Sequence, residues 1–238
     1  MPNEIERDPR ANRLLAALPK ADYERIGGDL EFVPLEPGTV LYRAGQEPGY
    51  AYFPTAGVVS ILSTMENGAL AELAITGNDG VVGIALFMGG ATTTSDAKVQ
   101  VPGSAFRLSS AVLRREFSRG GEFHHLLLRY AQALFTQMAQ TAACNRHHSL
   151  EKQLCRWLLL RLDLLSTSEV PGTHDAIASL LGVRRSGISE AARRLRAAGL
   201  ITYTRGSTEV LDRSKLEACA CECYVVVKTE VDRLFSTR

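Results

Sequence analysis

Residues 173–190 read Thr173-His174-Asp175-Ala176-Ile177-Ala178-Ser179-Leu180-Leu181-Gly182-Val183-Arg184-Arg185-Ser186-Gly187-Ile188-Ser189-Glu190, and this run decides the fold of the C-terminal part of the chain. Thr173 is a suitable N-cap, because its hydroxyl can accept from a backbone N–H of the first turn. The helix it opens ends near Leu181. Ala178, Gly182 and Ile188 have the spacing of a helix-turn-helix. The small residue lets two helices cross closely, the glycine makes the turn, and the branched residue anchors the second helix. That helix is expected from about Arg185 to Ala198, with Ile188, Ala191, Ala192 and Leu195 inward and Arg185, Ser186, Ser189, Glu190 and Arg193 outward. Residues at the start of such a helix reach base edges in the major groove, so Arg185, Ser186, Ser189 and Glu190 are the expected base contacts.

Gly199-Leu200-Ile201 ends the helix, and Thr202 to Gly206 with Ser207 to Leu211 reads as a hairpin, a wing, around Arg205-Gly206. Six arginines face three acidic residues between Thr173 and Glu209, the local surplus that phosphate binding requires. This surplus and the wing argue against a plain αα-hairpin. Thr173, Ser179, Arg184, Arg193 and Arg205 are the expected phosphate contacts, which position the protein without specifying sequence.

Upstream, Leu150 to Leu165 is helical, and polar Ser166 to Gly172 reads as a linker. Phe123 to Arg146 runs without Pro or Gly, long for a globular helix. It carries two adjacent stripes, Leu127, Tyr130, Leu134, Gln137, Thr141 and Cys144 beside Leu128, Ala131, Phe135 and Met138. A helix apolar on two sides has two surfaces to bury, and the first stripe is assigned to a homodimer interface. From Leu30 to Leu108 short apolar runs are broken by turns such as Glu36-Pro37-Gly38 and Gly77-Asn78-Asp79-Gly80, the texture of a β-sandwich or barrel. Asn67-Gly68, between Val58-to-Met65 and Ala71-to-Ile75, reads as a type I′ hairpin. Ser110 to Arg119 gives a helical turn or two, and Arg13 to Gly27 a short helix interrupted near Pro19.

The formal net charge of +1 over 238 residues identifies no partner by itself. No apolar run approaches membrane-spanning length, and Met1 to Arg10 has no apolar run of a secretory signal. A cytoplasmic address is expected. Five cysteines, none before Cys144, argue against a disulfide framework.

This order of parts, a β-roll, a long helix and a winged helix-turn-helix, resembles the CRP/FNR family over nearly the whole chain. Ala198-Gly199-Leu200-Ile201-Thr202-Tyr203-Thr204-Arg205-Gly206, Leu211-Asp212-Arg213 and Cys221-Glu222-Cys223-Tyr224 look like one branch of it. The resemblance implies an α+β chain: a β-roll sensor-like domain over 1–120 (a cyclic-nucleotide-binding-like double-stranded β-helix), a dimerisation helix over 121–149, and a winged helix-turn-helix with a C-terminal helix over 150–238. It also implies an inverted-repeat promoter site.

Members that bind cyclic AMP carry a Gly-Glu-Leu turn and a later Arg-Ser or Arg-Thr pair, for the ribose hydroxyl and the cyclic phosphate. Here the glycine falls on Gly83, but Ile84 stands at the glutamate position and Thr94, followed by Ser95, at the arginine position. A buried phosphate there would lack its paired charge. Lys98 and Arg107 are other cations of this region, and the spacing assigns neither. Control by cyclic AMP in the family's manner is not expected, and the pocket of Gly83, Ile84, Thr94 and Ser95 reads as degenerate. The absence of N-terminal cysteines excludes the family's iron-sulfur mechanism. His124, His125, His147 and His148 read as solvated or interface residues on the long helix, not haem ligands.

Ser214-Lys215-Leu216-Glu217 matches a capping box. On one helix from there, Cys219 and Cys223 would share a face and Cys221 would point elsewhere. Three thiolates would not converge on one ion, so packing is the expected role and neither metal nor cofactor is expected. The family's usual recognition pattern, Arg-Glu and then Arg three residues on, is kept only at Arg185. Ser186 and Glu190 replace the other two, so the half-site should differ: Arg185 suits guanine O6 and N7, and Glu190 suits cytosine N4. The expected partners are double-stranded DNA, a second copy of the chain, RNA polymerase and an unidentified small-molecule effector, with no membrane. No catalytic constellation is present. A different reading is a small-molecule-binding or redox-responsive module whose winged helix contacts protein.

Overall fold

A computed structural model describes residues 7–90 and 92–236. Their packing divides into two compact units. The first takes its described residues from 7–61, 74–135 and 231–236, the second from 62–73 and 136–230.

In the first unit, α1 (Arg13–Ala16) and α2 (Lys20–Gly27) precede the strands β1 (Glu31–Leu35), β2 (Val40–Tyr42), β3 (Tyr50–Thr64), β4 (Leu70–Thr76) and β5 (Asp96–Ser109). The break between the two helices falls at Pro19, as the sequence predicts. The sheet order is β1-β5-β3-β4, with β2 also paired to β5. β1 runs antiparallel to β5, from Glu31 opposite Arg107 to Leu35 opposite Gly103. The two long strands approach closely where Gly103 faces β3: a Cβ there would come within 2.2 Å of the Ala56 carbonyl oxygen. Phe53, Val58, Val59, Val99, Ala105 and Leu108 line the core with Leu14, Leu15 and Ile26. Buried Asn12 caps α1 by accepting from the Leu14 and Leu15 amides, and its amide group donates to the Pro54 and Gly80 carbonyls.

The hairpin exists where Asn67-Gly68 places it, but its turn is of another type. Type I′ needs positive φ at both central residues, and among the described residues only glycines have positive φ. Gly68 alone bends left-handed, at φ 80°. The Gly68 amide donates to the Met65 carbonyl, and Met65 to Ala69, giving a three-residue loop.

α3 (Ser110–Ser118) leads into α4 (Gly121–His147), a helix of 27 residues. Burial corrects the expected interface: the stripe assigned to it faces its own chain, and the second stripe is exposed only in part, since Ala131 is buried and Met138 half-buried. Leu127, Tyr130, Leu134, Gln137, Thr141 and Cys144 are all buried within the single chain. Tyr130 shows why: its hydroxyl lies 2.9 Å from Thr76 Oγ1, and its ring fills the space a Cβ on Gly80 would need, 2.4 Å away. Leu128 and Phe135 of the other stripe remain 41% and 51% exposed. Periodicity finds two apolar stripes but does not say which one the chain covers itself. No described helix is long and apolar enough to cross a membrane.

The second unit is built on α5 (Leu150–Leu162), buried on nearly every side. Around it stand β6 (Glu169–Pro171), α6 (His174–Leu181), α7 (Arg185–Ala197), β7 (Ile201–Thr204), β8 (Ser207–Val210), α8 (Arg213–Cys219) and α9 (Glu222–Phe235), of which the last residues of α9 pack with the first unit. The expected linker 166–172 contains β6, which pairs with β8 and buries Val170. The sheet order is β6-β8-β7. Leu154, Leu158, Ile177, Ile188, Leu195, Ile201, Val210 and Leu216 form the common core.

Within this core lies an ion pair, Arg161 to Glu72 at 2.6 Å, with side chains 2% and 8% exposed. The guanidinium also stacks over Trp157, 3.5 Å from the ring centroid. Removing one partner leaves a charge in a low-dielectric site, whereas exposed pairs contribute little. Glu72→Ala is therefore expected to lower the unfolding free energy by about 3–5 kcal/mol. Glu122→Ala, which breaks the exposed pair with Arg129, should cost under about 1 kcal/mol. Denaturant titration monitored at Trp157 checks both, and equal losses would refute the assignment.

Candidate nucleic-acid interface

Thr173 caps α6 as expected, its Oγ1 accepting from the Ala176 amide at 3.1 Å. Gly182 ends α6 with φ 68°, a left-handed conformation that suits glycine. The chain then enters α7, whose buried residues are Ile188, Ala191, Ala192 and Leu195, the predicted inner face. The two helices pack across Ala178 and Ile188, both buried.

This leaves Arg184, Arg185 and Ser186 exposed at the N-terminal end of α7, with Ser189 and Glu190 half-buried. Thr173, Arg185 and Arg205 line one cleft of about 530 Å³ with Gly172, His174, Asp175 and Tyr203. The structure thus brings the start of α6, the start of α7 and the wing to one side of the unit. Ser179, Arg193 and Arg205 are exposed, as contacts to a phosphate backbone would require.

Several neighbours escaped the sequence reading. Asp175 lies 3.4 Å from Arg185 Nε. His174 Nδ1 lies 3.1 Å from Ser189 Oγ, and its ring packs on Tyr203. Burial, helped by Arg185, holds the His174 imidazole below its usual pKa. Arg193 donates to both Glu190 oxygens, at 3.0 and 2.7 Å, and Arg194 adds a bond of 3.1 Å. These bonds hold the Glu190 carboxyl below the usual range. A carboxylate offers about four acceptor sites, so Glu190 keeps room for a base amino group. Spacing of three and four along α7 was the signal for both contacts.

In the first unit Gly83 has φ 112° and opens a short 3-10 helix, Ile84–Leu86. Thr94 is exposed, whereas Ser95 is buried and bonded to Thr93 Oγ1 at 3.1 Å. Arg107 does not supply a free cation: it binds both Glu31 oxygens, at 2.9 and 2.7 Å, and stacks on Tyr50. A cavity of about 440 Å³ in this unit is lined by Leu86, the last residue of that 3-10 helix, with Glu47, Phe87, Arg114 and Phe117.

The expected geometry of the cysteines needs correction. The cap of α8 is Asp212, which accepts from the Lys215 amide, not Ser214. Helix α8 then stops at extended Ala220, and α9 starts afresh at Glu222. The break allows Cys221 and Cys223 to turn inward together, where they form a buried cluster with Cys144. His148, expected as a solvated or interface residue, also reaches this cluster.

A family model described as a Crp-like helix-turn-helix domain matches residues 152–219, and one described as a cyclic nucleotide-binding domain matches residues 32–119. No curated protein matches the chain. Among solved structures it is similar to a transcriptional regulator of the Crp/Fnr family from Eubacterium rectale, with a TM-score of 0.69, 17% identity, and coverage of 88% of this chain and 98% of that one. FixK2 from Bradyrhizobium japonicum superposes with a TM-score of 0.68 at 14% identity, covering 81% of this chain and 98% of that one. The c-di-GMP responsive global regulator CLP of Xanthomonas campestris gives 0.64 at 16% identity, covering 82% and 100%. The helix-turn-helix with its wing, the cyclic-nucleotide-binding-like unit and both family matches agree: the chain carries a cyclic nucleotide-binding domain and a Crp-like helix-turn-helix domain, and it has the fold of CRP/FNR family transcription regulators.

Proposed function

We propose that the chain acts in the cytoplasm as a homodimeric, sequence-specific regulator on an inverted-repeat promoter site, with RNA polymerase as its protein partner there and no control by cyclic AMP. The observation that carries this reading is the exposed group of Arg184, Arg185 and Ser186 at the start of α7, beside Arg205 on the wing. Arg185 reads a guanine, and Ser186, Ser189 and Glu190 complete the base contacts. Thr173, Ser179, Arg184, Arg193 and Arg205 hold phosphates. The supported dimer face is the exposed stripe of α4, Leu128, Gln132, Phe135, Ala139 and Ala142, whose alternating steps of four and three suit a coiled-coil seam.

Independence from cyclic AMP rests on Ile84 and Thr94 at the positions of the ribose acceptor and phosphate cation, and on the commitment of Arg107 to Glu31. One structural relative is c-di-GMP responsive, so this fold serves other effectors. The cavity near Arg114 and Phe117 is the proposed place for a small molecule in this chain.

Selection from a random duplex library, with purified protein and no added effector, is expected to enrich an inverted repeat with half-site centres about 34 Å apart. A sharp gain in affinity on adding cyclic AMP would overturn the effector reading. Arg185→Ala should weaken the selected site by about 1–3 kcal/mol and relax one base position. Arg205→Ala should weaken all sequences alike and reduce the salt slope by about 0.9 per protomer. Titrations at several salt concentrations separate these patterns, and a salt slope near zero in the unmodified protein would favour a wing that contacts protein.

Phe135→Glu is expected to give a monomer with native helix content by sedimentation and circular dichroism. Leu127→Glu should instead disrupt folding, because Leu127 is buried within its own chain. A dimeric Phe135→Glu protein would exclude the exposed stripe as the interface.

A further inference from the structure

Four metal-ligating side chains outside the DNA-facing surface converge in the second unit: Cys144, His148, Cys221 and Cys223, with all ligand atoms within 4.8 Å of one another. Cys144 and His148 stand one turn apart at the end of α4, where the His148 amide donates to the Cys144 carbonyl at 3.0 Å. The extended residue Ala220 brings up Cys221 and Cys223 from the other side. Cys144 Sγ lies 3.5 Å from Cys221 Sγ, and Cys223 Sγ lies 3.6 Å from His148 Nδ1. A tetrahedral zinc site, with Zn–S near 2.3 Å and Zn–N near 2.0–2.1 Å, sets ligands about 3.8 Å apart for S···S and about 3.6 Å for S···N. The thiols therefore already stand near ligand separations.

Two further contacts point to the same occupant. The other His148 nitrogen, Nε2, lies 3.3 Å from a Glu222 carboxylate oxygen. A carboxylate behind the imidazole fixes the ring and its tautomer, as it does for zinc-bound histidines. Arg156 is buried and donates through one NH2 to Thr141 Oγ1, at 3.2 Å, while its Nε and other NH2 nitrogen find no hydrogen-bond partner among the described residues. Thr141 stands one helical turn before Cys144 on α4, so this bond places the guanidinium beside the cluster. A buried guanidinium needs negative charge. Three thiolates, one neutral imidazole and Zn²⁺ sum to one negative charge, the complement of Arg156.

We propose that Cys144, His148, Cys221 and Cys223 bind one structural Zn²⁺ ion, with Glu222 orienting His148 and Arg156 balancing the site. On binding, the three thiols release three protons to solvent and no electrons move. The four ligands close the coordination shell, the pattern of structural and not catalytic zinc. Cys219, only half-buried and outside the cluster, takes no part.

The test uses the full chain purified in reductant, with zinc measured by mass spectrometry and thiols counted in denaturant with chelator. The expected result is one zinc per chain with all five cysteines free. Co²⁺ exchanged into the site should show thiolate-to-cobalt charge-transfer absorption. Cys223→Ser should lose the metal and Cys219→Ser keep it. Glu222→Gln, an exposed change that keeps the four ligands, should weaken zinc binding about 10–100-fold in chelator competition. This variant keeps the proposal testable should the cysteine variants fail to fold. The proposal is overturned by substoichiometric zinc after reconstitution in reductant without a cobalt–thiolate band. It is equally overturned by only three free thiols, which would mark a disulfide of Cys144 with Cys221, or by equal metal content in the Cys219 and Cys223 variants.

Discussion

Two buried guanidinium groups on one helix constrain the second unit. Helix α5 carries Arg156 and Arg161 among Leu154, Cys155, Trp157, Leu158, Leu159 and Leu162, all buried. A charge in such surroundings must be paired or it destabilises the fold by several kcal/mol. Arg161 meets Glu72 and the face of Trp157. That requirement draws the outer part of the β3–β4 hairpin, residues 62–73, into the packing of this unit. Leu62 joins the same core, so the pair is enclosed by apolar contact on the hairpin side as well.

Arg156 poses the complementary problem, since it has a hydroxyl partner and two unsatisfied nitrogens. The neighbouring cysteines offer negative charge only once deprotonated, and burial pushes Cys144 and Cys223 towards the neutral thiol. A bound cation inverts that preference, because coordination deprotonates the thiols. Arg156 and the cysteine cluster therefore make physical sense together and little sense apart. Meanwhile α5 packs against α7 and α8, so the helix that bears both charges also supports the DNA-facing helix. The site for DNA stands on a core whose polar requirements are met elsewhere.

The helix-turn-helix was legible because its signals are local. Thr173 caps within three residues, Gly182 takes the left-handed turn, and Ile188, Ala191, Ala192 and Leu195 alternate by threes and fours. What failed depended on tertiary context. Strand β6 is three residues long and owes its existence to β8, so its polar neighbours read as linker. The break at Ala220 has neither Gly nor Pro to announce it, and one uninterrupted helix was the natural inference from the capping pattern. On one uninterrupted helix Cys221 points away from Cys223, and only the break at Ala220 brings both to Cys144 and His148. Both stripes of α4 are legible in the sequence, and it is tertiary contact, the Tyr130 ring in the space beside Gly80 and its hydroxyl at Thr76, that turns one of them inward.

On the proposed reading, the recognition helix holds an internal competition that bears on specificity. Glu190 accepts from Arg193 and Arg194, while Arg193 is also placed to hold a phosphate. A guanidinium that turns to the DNA backbone gives up its two bonds to Glu190, exposed bonds whose loss costs little. The carboxylate then regains acceptor sites for a cytosine amino group. Without that base, Glu190 would keep only its bond from Arg194 and would face phosphate and base acceptors with its other oxygen unmatched, an electrostatic cost confined to wrong sequences. Phosphate binding by Arg193 and base reading by Glu190 are thus coupled through one ion pair. Positioning and specification, ordinarily the separate tasks of phosphate and base contacts, are therefore not independent in this helix.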